Sequence, residues 1–224
     1  MVFLFFLLVF KINFNDNKLF KQVNFKTNMV YKQTEPFTCG PCSYMEGFYE
    51  NKNIKKELEL HEIGRIKPSR LFLGISFLEI NSNLFLYIKD TKMTQKIVDM
   101  VHYDVIEDFD NVFKNYYNSL IKKYKNNIIK ISDSDILFTV LNKANDFKKP
   151  VLVLSHSKYW IGKGGAHWIC FKGIKNNKFI FSDSILGKEV YFTKSDILKM
   201  IKMLDDDGFS FQFVCDISVE ELKH

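Results

Sequence analysis

Residues 33–43 read Gln33-Thr34-Glu35-Pro36-Phe37-Thr38-Cys39-Gly40-Pro41-Cys42-Ser43. The run changes character at Cys39. Before it the chain is polar; after it Pro41 stands in a first-turn position that helices tolerate, and Tyr44, Met45, Phe48 and Tyr49 recur at helical spacing. That spacing predicts a helix from Pro41 to about Lys52 with Cys39 at its N-terminal edge. Unpaired amides and the helix dipole at such an edge favour an anion and lower a thiol pKa. The bland alternative is an inert core cysteine, because Cys is among the most buried residue types. The Gly and Pro around Cys39 shape an exposed turn and weigh against that alternative.

A thiolate nucleophile needs a base, and the base needs a third group to fix its tautomer. His167, in Gly164-Gly165-Ala166-His167-Trp168, starts a predicted strand and follows small residues that leave room for a substrate backbone. Asp183 ends the next predicted strand, and a hairpin turning near Asn176-Asn177 would set the two side by side. Alone, His167 reads as a satisfied core histidine and Asp183 as a turn residue in Ser-Asp-Ser. Their combination with Cys39 is what points to catalysis. His156 and His61 stay open as alternative bases, and Asp135, Asp196 and the run Asp205-Asp206-Asp207 read as caps and solvated surface.

Outward from these residues, helices are predicted over 57–66 and 71–80, followed by a strand over 84–88. Residues 94–125 and 133–147 carry helical spacing. From Pro150 the texture turns to short β-rich runs at 151–154, 168–172, 178–182 and 189–192, separated by Gly and Asn turns. A helix over 193–204, capped by Thr193 or Ser195, and a strand over 209–215 close the chain. Helices first and an antiparallel sheet afterwards make an α+β chain, with the Cys on the helical half and the His and Asp on the sheet. Residues 29–224 read as one domain and 1–28 as an N-terminal extension.

Gln33 ahead of a Thr-Cys-Gly-Pro, a helix, and much later Ala-His-Trp and a strand ending in Asp resemble the bacteriocin-processing, double-glycine-leader cysteine peptidases of the papain clan, especially their stand-alone peptidase-like relatives. The stretch from Val151 to Trp168, with Ser155-His156-Ser157-Lys158-Tyr159-Trp160-Ile161-Gly162, is similar to that subgroup's segment before its histidine. The likeness covers about residues 30–215. It implies a papain-like fold and hydrolysis of a peptide or amide bond through an acyl-enzyme. In that scheme Cys39 attacks, His167 moves the proton and Asp183 orients the imidazole, while the Gln33 amide and the Cys39 N–H form the oxyanion hole. It implies no metal and no organic cofactor, and a peptide or protein substrate. The family usually has a small residue where Cys42 stands and Pro where Ser184 stands. Cys42 either fills an Ala-sized site or traps Cys39 as a disulfide. Transporter-linked members also carry membrane helices and an ATP-binding cassette. With no G-x-x-x-x-G-K-[ST] here, a free-standing enzyme is expected.

Other readings are weaker. Cys39-Gly-Pro-Cys42 is also the tetrapeptide of thioredoxin-like thiol–disulfide oxidoreductases, yet Lys32-Gln-Thr-Glu-Pro is too polar for the strand that fold runs into its motif. A catalytically idle, peptide-binding relative or an acyl transferase would share the same residues. The chain has 224 residues, 46% of them apolar, and a formal charge of +6. Its lysines are scattered among acids, without the basic, aromatic-interleaved stripe of a nucleic-acid groove, so no nucleic-acid partner is expected. Four cysteines and a single C-x-x-C suit neither a disulfide framework nor a metal cluster and point to a reducing, cytoplasmic setting. The apolar run 2–10 falls far short of the roughly 20 residues that span a bilayer. It reads equally as a weak signal or membrane anchor, a buried strand, or sequence upstream of a start at Met29.

Overall fold

A computed structural model of the protein describes residues 30–92, 94, 97, 98 and 108–223. The readings made for residues 1–28, including the apolar run 2–10, lie outside these, as does most of the stretch 93–107.

The chain opens with three helices, α1 (Cys39–Phe48), α2 (Ile54–Gly64) and α3 (Gly74–Ile80), then strand β1 (Phe85–Ile88). After it come α4 (Phe109–Lys123), β2 (Ile128–Lys130), α5 (Asp135–Phe147), β3 (Val151–His156) and a one-turn helix α6 (Lys158–Ile161). Strands β4 (Ala166–Lys175), β5 (Lys178–Asp183) and β6 (Lys188–Phe192) follow, then α7 (Lys194–Asp206), β7 (Gln212–Cys215) and α8 (Val219–Leu222). The strands form one seven-stranded sheet in the order β2-β1-β7-β3-β4-β5-β6. The α+β class expected from the sequence is therefore present, but the sheet is mixed. The expectation of an antiparallel sheet fails at one pair, where β2 runs parallel to β1. Three residues of β2 are too few to show a period-2 pattern, which is why the strand was not legible.

Element ends differ from expectation for local reasons. Helix α1 begins at Cys39 itself, because Thr38 takes the N-cap position, and it stops at Phe48. Its close packing needs a glycine: a Cβ at Gly40 would lie 2.3 Å from the Phe72 ring. Helix α7 is capped by Thr193, whose hydroxyl accepts from the Asp196 amide at 3.2 Å, so Asp196 is a cap partner as read. Asp135 is not a cap but the first helical residue of α5, paired with Lys194 at 2.7 Å.

Strands β3 and β7 are buried along their whole length and form the centre of the core. Helices α1 and α5 pack against β4, α3 against β1 and β7, and α7 against β3 and β6. The fully buried Trp168 locks α3 and α1 to β4. Its ring meets Phe77 edge-on at 4.8 Å, its indole N–H donates to the Phe72 carbonyl at 3.0 Å, and its own carbonyl accepts from Ser43 at 2.8 Å. This packing brings the N-terminus of α1 to the start of β4.

Candidate active site

The hairpin between β4 and β5 is built as the sequence suggested. Lys175 pairs with Lys178, and Asn176 and Asn177 both adopt positive φ, 50° and 58°. Two successive left-handed residues make the twisted two-residue turn that suits antiparallel strands, and Asn tolerates that conformation better than most residues. The turn starts the pairing, and an irregularity between Phe171 and Gly173 shifts it by one residue before His167, near the start of β4, comes beside Asp183, the last residue of β5. His167 Nε2 lies 3.0 Å from Asp183 Oδ1. With Nε2 committed there, Nδ1 is the ring nitrogen left for the Cys39 thiol, which interacts with the imidazole closely enough to shift its pKa.

Both side chains are buried, at 2% and 0% exposure, so their charges survive only through partners. Burial works against the Asp183 carboxylate, but the bond and charge of His167, the Trp160 indole and the Ile185 amide together hold it below its usual range. Burial also opposes a charged His167. Asp183 and Cys39 outweigh it and raise the imidazole to about 9. Cys39 is pulled below the ordinary thiol range: burial again opposes, and the hydrogen bond and charge of His167 prevail, helped by the backbone of Trp168 and Gly40. The other thiols go the opposite way. Burial pushes Cys170 and Cys215 up to about 12, and raises Cys42 as well. All four cysteines are free, and Cys39 is the one that is not fully buried.

Gln33 is held at the far end of the same cluster. Its backbone N–H donates to the Ser184 carbonyl at 2.9 Å, Ser184 Oγ donates to Gln33 Oε1 at 3.0 Å, and Gln33 Nε2 donates to the Glu35 carbonyl at 3.2 Å. These bonds fix which end of the amide is nitrogen and leave one Nε2 hydrogen uncommitted. Ser184, which stands where the family usually has Pro, is the residue that orients Gln33.

The alternative bases are placed elsewhere. Ser155 pairs with His167 and His156 with Ala166, so strand alternation sends His156 to the opposite side of the sheet. There its Nε2 meets Asp207 Oδ2 at 2.7 Å. Asp205 and Asp206 are exposed, as read, with Asp205 paired to Lys89 at 2.9 Å, and Asp207 is the C-cap of α7 and also the partner of a buried histidine. His61, on α2, lies 3.0 Å from the Arg70 carbonyl.

Three functional neighbours escaped sequence reasoning. Trp160, on α6, donates its indole N–H to Asp183 Oδ2 at 2.7 Å and packs against His167 with ring centroids 6.0 Å apart. The available signal was general: a buried indole N–H needs an acceptor. Ser157 shapes the glycine loop before His167. Its hydroxyl donates to the Gly165 carbonyl at 3.0 Å, and a Cβ at Gly164, where φ is +95°, would lie 2.3 Å from that hydroxyl. The third is Glu57, on α2, which gathers the backbone and side chains leading into Cys39. Replacing Trp160 with Phe keeps the ring and removes the donor, leaving Oδ2 of a buried charge unpaired. Urea titration is expected to show about 2 kcal/mol of lost stability.

No protein-family model matches this chain, and no curated protein matches it. Among the described residues no group of three or more His, Cys, Asp or Glu side chains is placed to hold a metal ion, and no helix is long and apolar enough to cross a membrane. What fold and site define is an α+β chain with a thiol, imidazole and carboxylate in series at the junction of a helix N-terminus and a sheet.

Proposed function

We propose that the protein is a cysteine peptidase of the papain-like kind, hydrolysing a peptide or amide bond. The observation that carries the reading is the single imidazole of His167, bonded through Nε2 to buried Asp183 and interacting with the half-buried Cys39 at the start of α1. This is the series a nucleophile, base and orienting group require.

The reaction follows from the groups in place. The Cys39 thiolate adds to the substrate carbonyl carbon, and the oxygen, now negative, takes hydrogen bonds from the Cys39 N–H, which has no acceptor within the helix, and from the free Nε2 hydrogen of Gln33. The His167 imidazolium gives its proton to the departing amine, leaving a thioester. Water then attacks, His167 takes its proton, and the carboxylate product leaves as the thiolate re-forms. Asp183 holds the ring in line throughout. The segment likeness to the double-glycine-leader peptidases favours peptides as substrates, and four free thiols suit a reducing compartment. The thiol–disulfide alternative has less support, because Cys42 is fully buried and its thiol is held strongly protonated by burial and by Glu57.

The test is alkylation by iodoacetamide at pH 6, with the modified positions read by mass spectrometry. At that pH an ordinary thiol is well under about 1% ionised. Cys39, with its lowered pKa, is expected to label fast and alone, and His167→Ala to slow it to the level of Cys170 and Cys215. Equal labelling of the three, or indifference to His167, would refute the reading. The pH profile follows from the signs of the two shifts. Alkylation falls on the acid side as the lowered Cys39 pKa is passed, well below that of a free thiol. Peptide hydrolysis also falls on the alkaline side near pH 9, where His167 loses the proton that the leaving amine needs.

A further inference from the structure

Glu57 is fully buried, and among the described residues no lysine, arginine or histidine pairs with it. Its carboxylate is instead satisfied by neutral donors, most of them from one short segment, with the Cys42 thiol of α1 also beside it. Oε2 accepts from the Tyr31 hydroxyl at 2.8 Å and the Thr34 hydroxyl at 2.9 Å. Oε1 accepts from the Thr34 amide at 3.0 Å, the Glu35 amide at 3.4 Å and the Thr38 hydroxyl. Burial alone would raise the carboxyl pKa, but these donors hold it below its usual value, so the group stays ionised. Apart from Leu60 and Gly64, the rest of α2 is not buried, and Glu57 is its one polar group turned fully inward.

The segment so gathered is the one that carries the oxyanion donor and ends at the nucleophile. Glu35 is the link: its amide is drawn to Glu57, and its carbonyl receives the Gln33 side-chain amide at 3.2 Å. Thr38 completes the tie, its hydroxyl also lying 2.6 Å from the Glu35 carbonyl. We propose that Glu57 is a positioning residue that holds Gln33 in place to stabilise the oxyanion of the tetrahedral intermediate, acting through the Tyr31–Thr38 segment it gathers. The lowered pKa of Cys39 rests chiefly on His167 and the backbone of Trp168 and Gly40, and Glu57 is not among its main causes. The inference rests on the peptidase reading and predicts a separation that mere scaffolding would not produce.

That separation can be read because the two probe reactions of Cys39 differ. Alkylation by iodoacetamide is a displacement at saturated carbon and forms no oxyanion. Acylation by p-nitrophenyl acetate passes through one: the sulfur–carbon bond forms, the carbonyl oxygen takes the negative charge, and p-nitrophenolate then departs. In Glu57→Gln the amide NH₂ must face a donor where the carboxylate accepted. The full-length variant is expected to lose about 10- to 100-fold in the acylation burst, as for a misplaced catalytic group, with Cys39 alkylation unchanged. Gln33→Ala is expected to lose about 100-fold or more, and adding Glu57→Gln to it to lose nothing further. Should Glu57→Gln fail to fold, Thr34→Val and Tyr31→Phe each delete one donor and are expected to give smaller losses in acylation alone. Equal slowing of both reactions, an unaffected burst, or additive losses with Gln33→Ala would each overturn the role of Glu57. A wild-type protein that gives no burst at Cys39 would overturn the peptidase reading and this inference together.

Discussion

His167→Ala is expected to lower kcat/KM for peptide hydrolysis by on the order of 10⁶-fold, the scale on which triad members that act as a unit fail when one is removed. Two losses combine. Burial is the largest influence on Cys39 and acts to raise its pKa. Without the imidazolium nothing of comparable size opposes burial, and Cys39 is expected to behave like Cys170 and Cys215, whose thiols burial drives up to about 12. The thiolate population at neutral pH then collapses, and no proton is on hand for the leaving amine. The measurement is steady-state cleavage of a fluorogenic peptide beside a thermal melt, with His156→Ala as the comparison. His156 faces Asp207 across the sheet, so its removal is expected to change the melt and to leave turnover near wild type. If His156→Ala abolished turnover and His167→Ala did not, the assignment of the base would be wrong.

The parts of this site that were legible in the sequence are those set by local rules. The Asn176-Asn177 turn could be read from turn chemistry, but the irregularity between Phe171 and Gly173, which shifts the register by one residue on the way to His167 and Asp183, could not. The start of α1 could be read to within two residues, and the error came from Thr38. Its hydroxyl turns back to the Glu35 carbonyl and Glu57, and the helix starts at Cys39. Other parts depend on distant packing and leave little local trace. Helix α6 is four residues long, too short for any period, yet it delivers Trp160 to Asp183. Glu57 looks like any acid on a surface helix until the segment 31–38 folds over it. Ser184 and Gln33 meet only because the end of β5 lies against that same segment. Strand β2 needs β1 beside it before three residues count as a strand.

Asp183→Ala is the second large effect expected, about 10⁴-fold in kcat/KM, the scale found when the group that orients a catalytic imidazole is lost. The structure adds a signature to that number. The Asp183 hydrogen bond is the strongest influence raising His167, acting against burial. Its removal is therefore expected to move the alkaline limb of the pH profile to lower pH, by shifting the imidazolium toward its neutral form. Stability should fall too, because the Trp160 indole and the Ile185 and Leu186 amides lose their acceptor. With up to three donors affected and two of them on a half-buried turn, about 3 kcal/mol is expected in urea titration. Asp183→Asn separates orientation from charge. One oxygen can still serve His167, Ile185 and Leu186 if the amide nitrogen is turned toward Trp160, where donor meets donor. Asp183→Asn should then retain more activity than Asp183→Ala, and adding Trp160→Phe, which removes the opposing N–H, should recover part of what it loses. A loss equal to that of the alanine variant, unmoved by Trp160→Phe, would mean that Asp183 acts through its charge and that its geometry contributes little.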